Sequence, residues 1–318
     1  MPVYMNNIRD AKQKSSYSMG MNKLPVEKRV QILSMLVEGS SMRSIYRVAD
    51  VSINTVAKLL IEAGTACAAF HDRTVRNVAA RKVQCDEIWS FCYAKARNVK
   101  TAKTPPEGAG DVWTWTAIDS ESKLIVSWLV GNRDAGCATD FITDLKARLS
   151  NRVQITTDGH KAYLEAVEGA FGSDVDYAML VKLYGEGPTG PERKYSPSIC
   201  LGARCDVITG DPDAAAISTS HVERQNLTMR MSMRRFTRLT NAFSKKLENH
   251  YHALALYFVF YNFVKMHKTL KATPALVAGI TDKLWTMEDV VSLIDADAPK
   301  PGPRGPYKKR AAKPEISK

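Results

Sequence analysis

The sequence predicts an α/β chain, a mixed β-sheet flanked by helices with an all-α unit ahead of it. Three observations predict this class. Residues 21–66 carry apolar positions at helical spacing only. From residue 81 the pattern switches to aromatic and β-branched runs, beginning with "KVQCDEIWSFCYAK". After that run a hairpin is followed by strands alternating with helices, which implies antiparallel pairing at the front and parallel pairing behind it.

Residues 1–20 are polar and read as a flexible arm. "LPVEKRVQILSMLVEG" gives an amphipathic helix, with Pro25 in the first turn, Val30, Leu33, Leu36 and Val37 on one face, and Gly39 at its end. "SMRSIYRVADVSINTVAKLLIEAG" then reads as a helix over residues 41–48, a tight turn through Asp50, and a second helix from Ser52 that stops at Gly64. That is the outline of a helix-turn-helix unit with a core of Ile45, Val48, Val51, Val56, Leu59 and Leu60. Ser52 starts its second helix, whose exposed face offers Asn54, Thr55 and Lys58 to base edges or phosphates. A plain helical bundle fits the same pattern. Aspartate in the turn is acceptable because it tolerates the left-handed conformation.

Residues 67–80 read as a linker, and the β-rich unit extends over residues 81–270. Within it, "VWTWTAIDSESKLIVSWLVG" forms two strands joined at "DSES", and "ATDFITDLKARL" forms a helix. "RVQITTD" is a strand ending at Asp158, "GHKAYLEAVEGAFG" a helix and "YAMLVKLY" a further strand. Residues 185–217 form a Pro/Gly-rich insertion loop before the next helix. The run Tyr251 to Phe263 has helical spacing and belongs in the core. Trp113, Trp115 and Trp128 alternate on strands, which favours a sheet face over a stacking platform. Residues 271–297 are a C-terminal helical segment, and residues 298–318 a basic, disordered tail.

The 318 residues carry a net charge of +12. That excess favours a polyanionic partner, and nucleic acid comes before a membrane surface. No uninterrupted apolar stretch approaches the roughly 20 residues a membrane span requires, and no signal peptide is visible, so a cytoplasmic location is expected. Six dispersed cysteines make no disulfide framework and no zinc set. Neither a glycine-rich phosphate loop nor a nucleophilic triad is present.

Three acids occupy special places. Asp86 lies inside the first strand, Asp158 ends another, and Glu223 follows "SHV" at the start of a late helix. Each has a structural reading. Asp86 could face solvent, with neighbouring Glu87 the informative acid instead. Asp158 could be turn chemistry, and Glu223 could complete a capping box with Ser220. Together they can meet at one point, where such a cluster repels itself unless a divalent cation sits there. Arg230 follows Glu223 by two helical turns and could hold a phosphate, with Arg224, Arg234 and Arg235 extending the basic surface.

With these pieces the chain resembles the bacterial insertion-sequence transposases of the DDE type, closest to the family named after insertion sequence one. The matching segments are the helix-turn-helix, "CDEIWSF", "TDGHKAY", "SHVERQNLTMRMSMRRFTRLTNAFSKK" and "YNFVKMHKTLKATPALVAGITDKLW". The resemblance implies a ribonuclease H-like core and Asp86, Asp158 and Glu223 as ligands of two Mg²⁺ or Mn²⁺ ions. It also implies Arg230 as a basic catalytic partner. The implied activity is metal-dependent cleavage and strand transfer at the terminal repeats of an element, on double-stranded DNA, by a homodimer or larger assembly associated with the bacterial nucleoid. His160 and His221, beside two of the acids, are auxiliary candidates. The rival readings are a DNA-binding regulator without catalysis and a structure-selective metal-dependent nuclease.

Overall fold

The computed structural model describes residues 23–185, 198–237 and 241–297. The expected arm and tail, and residues 186–197 of the expected insertion, lie outside them.

Three helices come first: α1 (Val26–Val37), α2 (Met42–Ala49) and α3 (Ile53–Thr74). Ser41 and Ser52 accept the backbone N–H groups of Ser44 and Thr55, each at 3.0 Å, and so cap α2 and α3. Asp50 closes α2 at φ 48° and ψ 54°, the left-handed turn expected of it. Two expectations need correction. Val48 is 59% exposed, because the eight-residue α2 turns Ile45 and Ala49 inward instead. Gly64 does not stop the second helix, which continues for 22 residues into the stretch read as a connector.

The reason lies in α8 (Leu247–Val259). A Cβ at Gly64 would fall 2.4 Å from the Cβ of His252, so the glycine permits close approach of α3 to α8. The merged helix is now long and apolar enough, by length and composition, to cross a membrane. Half of its most apolar window is buried in the molecule. The buried face of α1 also differs from expectation. It comprises Arg29, Ile32, Leu33 and Val37, and Arg29 is drawn in by Asp295 at 2.6 and 3.0 Å.

The sheet contains β1 (Lys82–Cys92), β2 (Gly110–Asp119), β3 (Ile125–Gly131), β4 (Val153–Thr157), β5 (Val175–Tyr184) and β6 (Cys200–Thr209). A short α4 (Ala96–Val99) precedes β2. Then α5 (Ala135–Lys146) connects β3 to β4, and α6 (Ala162–Phe171) connects β4 to β5. The spatial order is β3-β2-β1-β4-β5-β6. β1 pairs antiparallel with β2, and β2 with β3, while β1, β4 and β5 run parallel. This is the ribonuclease H-like mixed sheet flanked by helices, with helices at the N-terminus, that the sequence predicts. The sixth strand corrects the expectation of an insertion loop: β6 runs antiparallel to β5. It is exposed along almost its whole length, so its sequence lacks the period-two contrast of a half-buried strand.

Helix α7 (Ser220–Ser232) crosses β1, and α8 packs along α3, buried as expected of the aromatic run. That run ends in a π turn, Phe260–Val264. There the Asn262 amide accepts from Ile125 N at 3.0 Å and donates to Ile125 O at 2.9 Å. These bonds cover backbone groups of edge strand β3. The described chain ends with α9 (Pro274–Val277) and α10 (Met287–Asp297).

Candidate active site

Neighbours on a strand face opposite sides of the sheet. In β1, Gln84 and Asp86 face α7, and Glu87 faces α5 and α6. Gln84 accepts two backbone N–H bonds through its Oε1, from His221 at 2.8 Å and Val222 at 3.1 Å. The first turn of α7 is therefore fastened to β1 through donors that no helix can satisfy internally. One turn on, Asn226 Nδ2 donates to Asp86 Oδ2 at 2.7 Å, while Asp86 Oδ1 accepts from the Glu87 N–H at 2.8 Å.

The capping box that the Ser220–Glu223 spacing allows is absent. Thr219 is the residue before the helix, and Ser220 is already inside it, its N–H bonded to Ser218 Oγ at 3.1 Å. The Glu223 carboxylate turns outward instead. Lys182 Nζ lies 2.6 Å from both of its oxygens, and Thr219 Oγ1 donates to Oε1 at 2.5 Å.

The parallel pairing of β1 and β4 ends at Cys85 and Thr157, so Asp158 emerges beside Asp86 where β4 leaves the sheet. It accepts the His160 N–H at 2.9 Å and lies 3.7 Å from Arg133 Nη2. An open cleft of about 680 Å³ lies here, at the carboxyl ends of β4 and β5. It is lined by Asp86, Asp158 and Glu223 together with the cations Arg133, Lys161 and Lys182. Clefts of this kind are where open α/β sheets hold their ligands.

The tightest carboxylate group among the described residues is not the expected triad. Asp86, Glu87 and Asp158 have oxygens within 4.8 Å of one another, and Glu223 stands outside that set. Glu87 is already committed, however. Its buried carboxylate accepts from Arg133 Nε at 2.7 Å and from the Tyr163 hydroxyl at 3.0 Å. Burial, then the charges of Glu87 and Asp158, with Glu223 adding to them, push the Asp86 carboxyl up to about 7, against the pull of its bond from the Glu87 N–H. Burial and Asp158 raise Glu87 as well, although Arg133 and Tyr163 hold it down.

The donor set fits a divalent cation. Three carboxylates lie within 4.8 Å of one another, two of them with raised pKa values, and Glu223 lines the same cleft as Asp86 and Asp158. Asn226 Oδ1 is buried beside Asp86 without a hydrogen bond and adds a neutral hard oxygen. Lys182 already meets Glu223 with positive charge. Burial works against its ammonium, but the bond to Glu223 raises its pKa.

The other expected residues are distributed unevenly. His160 lines the cleft with its ring against Trp115 and Tyr163, and burial followed by Arg133 lowers its pKa. His221 lies beside Lys123 Nζ, 3.2 Å away, and burial and that charge lower it too. Arg230 is half-buried in the last turn of α7 and does not line the cleft. Arg224 and Arg234 are exposed. Arg235 points inward and donates to Ser244 Oγ at 2.5 Å, and burial lowers its guanidinium to about 10. On the helical unit, Asn54 and Lys58 are exposed, while Ser52 Oγ and Thr55 Oγ1 lie 2.8 Å apart within the cap of α3. Trp115 is fully buried on the α5–α6 face, as its alternation predicts.

Sequence reasoning missed Gln84, Asn226, Lys182 and Arg133. Asn226 carried a signal, since it lies one turn beyond Glu223 on the same helix. Lys182 carried none, because its place opposite Glu223 depends on how β5 and α7 meet.

No protein-family model matches the chain, and no curated protein matches it. Among solved structures, the chain is similar to one in the simian T-cell lymphotropic virus intasome in complex with PP2A regulatory subunit B56 gamma. That likeness has 12% identity over 90% of this chain and 80% of that chain, at a TM-score of 0.34. It is also similar to a chain of the Mos1 strand transfer complex, at 10% identity, 92% and 85% coverage and a TM-score of 0.33. A third is the piggyBac transposase synaptic complex with hairpin DNA, at 8% identity, 91% and 78% coverage and a TM-score of 0.33. These scores mark a loose likeness.

Proposed function

We propose that this chain is a DDE-type DNA transposase of the insertion-sequence kind, with the "insertion sequence one" family the best candidate. One observation carries the reading. Asp86, Asp158 and Glu223 come from a strand interior, a strand end and a helix start, and all line a single cleft beside three cations. Two Mg²⁺ or Mn²⁺ ions held by these acids would activate an attacking oxygen and stabilise a leaving one in an in-line phosphoryl displacement. The rest of the chemistry belongs to side chains. Asn226 and the Glu87 N–H orient Asp86, and Gln84 fixes the helix that presents Glu223. Lys182, Lys161 and Arg133 offer positive charge to the phosphates on either side of the reacting bond. Residues 21–66, with Ser52, Asn54, Thr55 and Lys58, serve as the helix-turn-helix that recognises terminal repeats. Arg224, Arg230 and Arg234 extend the basic path. Processing two ends calls for a dimer or larger assembly working at the bacterial nucleoid.

The test uses duplexes carrying the sequences that flank the gene, cut to expose a 3′-hydroxyl, with plasmid target and Mg²⁺. The wild-type chain is expected to join strands. Glu223→Gln is expected to lower joining by about 10²-fold or more while end-binding persists. Equal joining by both proteins overturns the triad. Specific binding without joining by either points to a DNA-binding regulator, and cutting without regard to end sequence points to a nuclease.

A further inference from the structure

Strand β6 pairs with β5 on one side, and its other edge has no strand partner among the described residues. Edges of this kind are normally blunted by proline, lysine, a bulge or a covering element. β6, "CLGARCDVIT", has neither proline nor lysine; its register with β5 shifts at each end, beside Leu201 and Ile208, and is regular from Gly202 to Val207. Its apolar side chains face water, with Leu201 72% and Val207 58% exposed. Next to it Ile199 is 68% and Tyr184 59% exposed. Exposed apolar side chains along an open edge point to an association site.

The charges on the strand say what occupies it. Arg204 and Asp206 are its only charged residues, they share one face, and they flank Cys205. Suppose a second β6 pairs antiparallel with Cys205 opposite Cys205. Arg204 then faces Asp206 of the second copy, and Asp206 faces its Arg204, while Ala203 meets Val207, all within the regular stretch of the strand. Centring the pair on Arg204 would place arginine against arginine, and centring it on Asp206 would place aspartate against aspartate. Like charges directly opposite are unfavourable, so the charges select the register centred on Cys205. Within one chain, Arg204 already closes on Asp206 at 2.8 and 2.9 Å, and in the pair the four charges alternate around a square.

We propose that β6 is a homodimerisation edge, pairing antiparallel with β6 of a second copy of this chain about a two-fold axis at Cys205. The pairing is isologous and would join two sheets into one continuous sheet. It does not depend on the chemistry of the cleft.

The experiment measures the mass of the full chain against concentration by sedimentation, for wild type, Arg204→Glu, Asp206→Arg and the double variant. Each single reversal sets like charges opposite each other twice and is expected to weaken the dimer about tenfold or more. The double variant restores opposite charges and is expected to return to within about threefold of wild type. Because Arg204 is exposed and Asp206 half-exposed, and the pair they make lies at the surface, each variant should keep the melting temperature of the dilute monomer. Mild oxidation adds a second readout. Residues directly opposite in an antiparallel pair lie within the Cα separation of disulfides, so a covalent dimer should form, disappear in Cys205→Ser and persist in Cys200→Ser. A chain that stays monomeric at every concentration overturns the proposal. So does a dimer indifferent to both reversals, or a covalent dimer indifferent to Cys205.

Discussion

Strands β1 and β6 belong to one sheet, yet they treat charge in opposite ways. β1 is paired on both sides, and its polar residues Gln84, Glu87 and Ser90 are buried. Each has partners: Gln84 holds two helix N–H groups, Glu87 holds Arg133 and Tyr163, and Ser90 donates to Val112 O at 3.0 Å. Among the described residues β6 is paired on one side, and Arg204 and the half-exposed Asp206 pair with each other at the surface. In β1 a polar side chain persists only where the surrounding structure satisfies it, so its partners record a requirement of the fold. In β6 a charge costs almost nothing to keep, so its placement speaks about what the strand meets.

The largest expected effect on stability tests that contrast directly. Glu87→Ala leaves the buried Tyr163 hydroxyl without its acceptor and Arg133 with only the more distant Asp158 carboxylate. It should destabilise the chain by about 2–3 kcal/mol in urea unfolding. Two features keep the loss below the full cost of breaking a buried ion pair. Arg133 is partly exposed, and Asp86 is relieved of a neighbouring charge. Asp206→Ala, measured at a concentration where the chain is monomeric, should change stability by less than about 0.5 kcal/mol. Losses of similar size in the two variants would break the comparison.

A second test sharpens the account of β1 through pH. The Asp86 carboxyl is raised from 3.8 to about 7 in the folded chain. A raised carboxylate pKa means that the folded state binds the proton more tightly than the unfolded one. Its unfavourable contribution is therefore absent below about pH 4, grows as pH rises, and is complete above about pH 7. Asp86→Asn carries no such charge. With a chelator present, its stability relative to wild type should improve by about 1–2 kcal/mol between pH 4 and pH 8, followed by thermal unfolding at each pH. This is below the roughly 4 kcal/mol of the full shift because the carboxylate opens onto the cleft, where solvent screens it. Millimolar Mg²⁺ or Mn²⁺ should then stabilise wild type at pH 8 and leave the variant unmoved. A difference that stays flat with pH would mean that Asp86 is well solvated, and the crowding of acids would lose its meaning.

The same contrast explains what the sequence made legible. Strand β1 announced itself through its aromatic and β-branched residues, and Asp86 was conspicuous because it interrupted a run that prefers burial. Asp158 was legible as an acid at a strand end. Glu223 was legible in position but ambiguous in role, because Ser-x-x-Glu also spells a capping box. The structure resolves that ambiguity by starting the helix after Thr219 and leaving the carboxylate to Lys182. Gly64 was ambiguous for a different reason. Glycine serves both where a helix ends and where two helices nearly touch, and only the position of His252 decides between them. Arg235 stood in a basic run whose letters do not say which side chain turns inward. Strand β6 was invisible because both of its faces are wet, and a strand with no buried face leaves no alternation to read.

The smallest effect belongs to β6 and bears most directly on that last point. Val207→Thr keeps the β-branched shape, which suits a strand, and adds a hydroxyl that an exposed position can hydrate. At the 58% exposure of Val207, little apolar area is removed from water on folding. The dilute monomer should therefore lose less than about 0.5 kcal/mol, at the edge of what urea unfolding resolves. The same change at Val83, fully buried in β1, would bring a hydroxyl into the core and should cost about 1–3 kcal/mol. If Val207→Thr instead costs as much as Val83→Thr, β6 is packed against something in the monomer. Its exposed face would then be covered by the chain itself, and an open edge could no longer explain why the strand carries apolar residues on it.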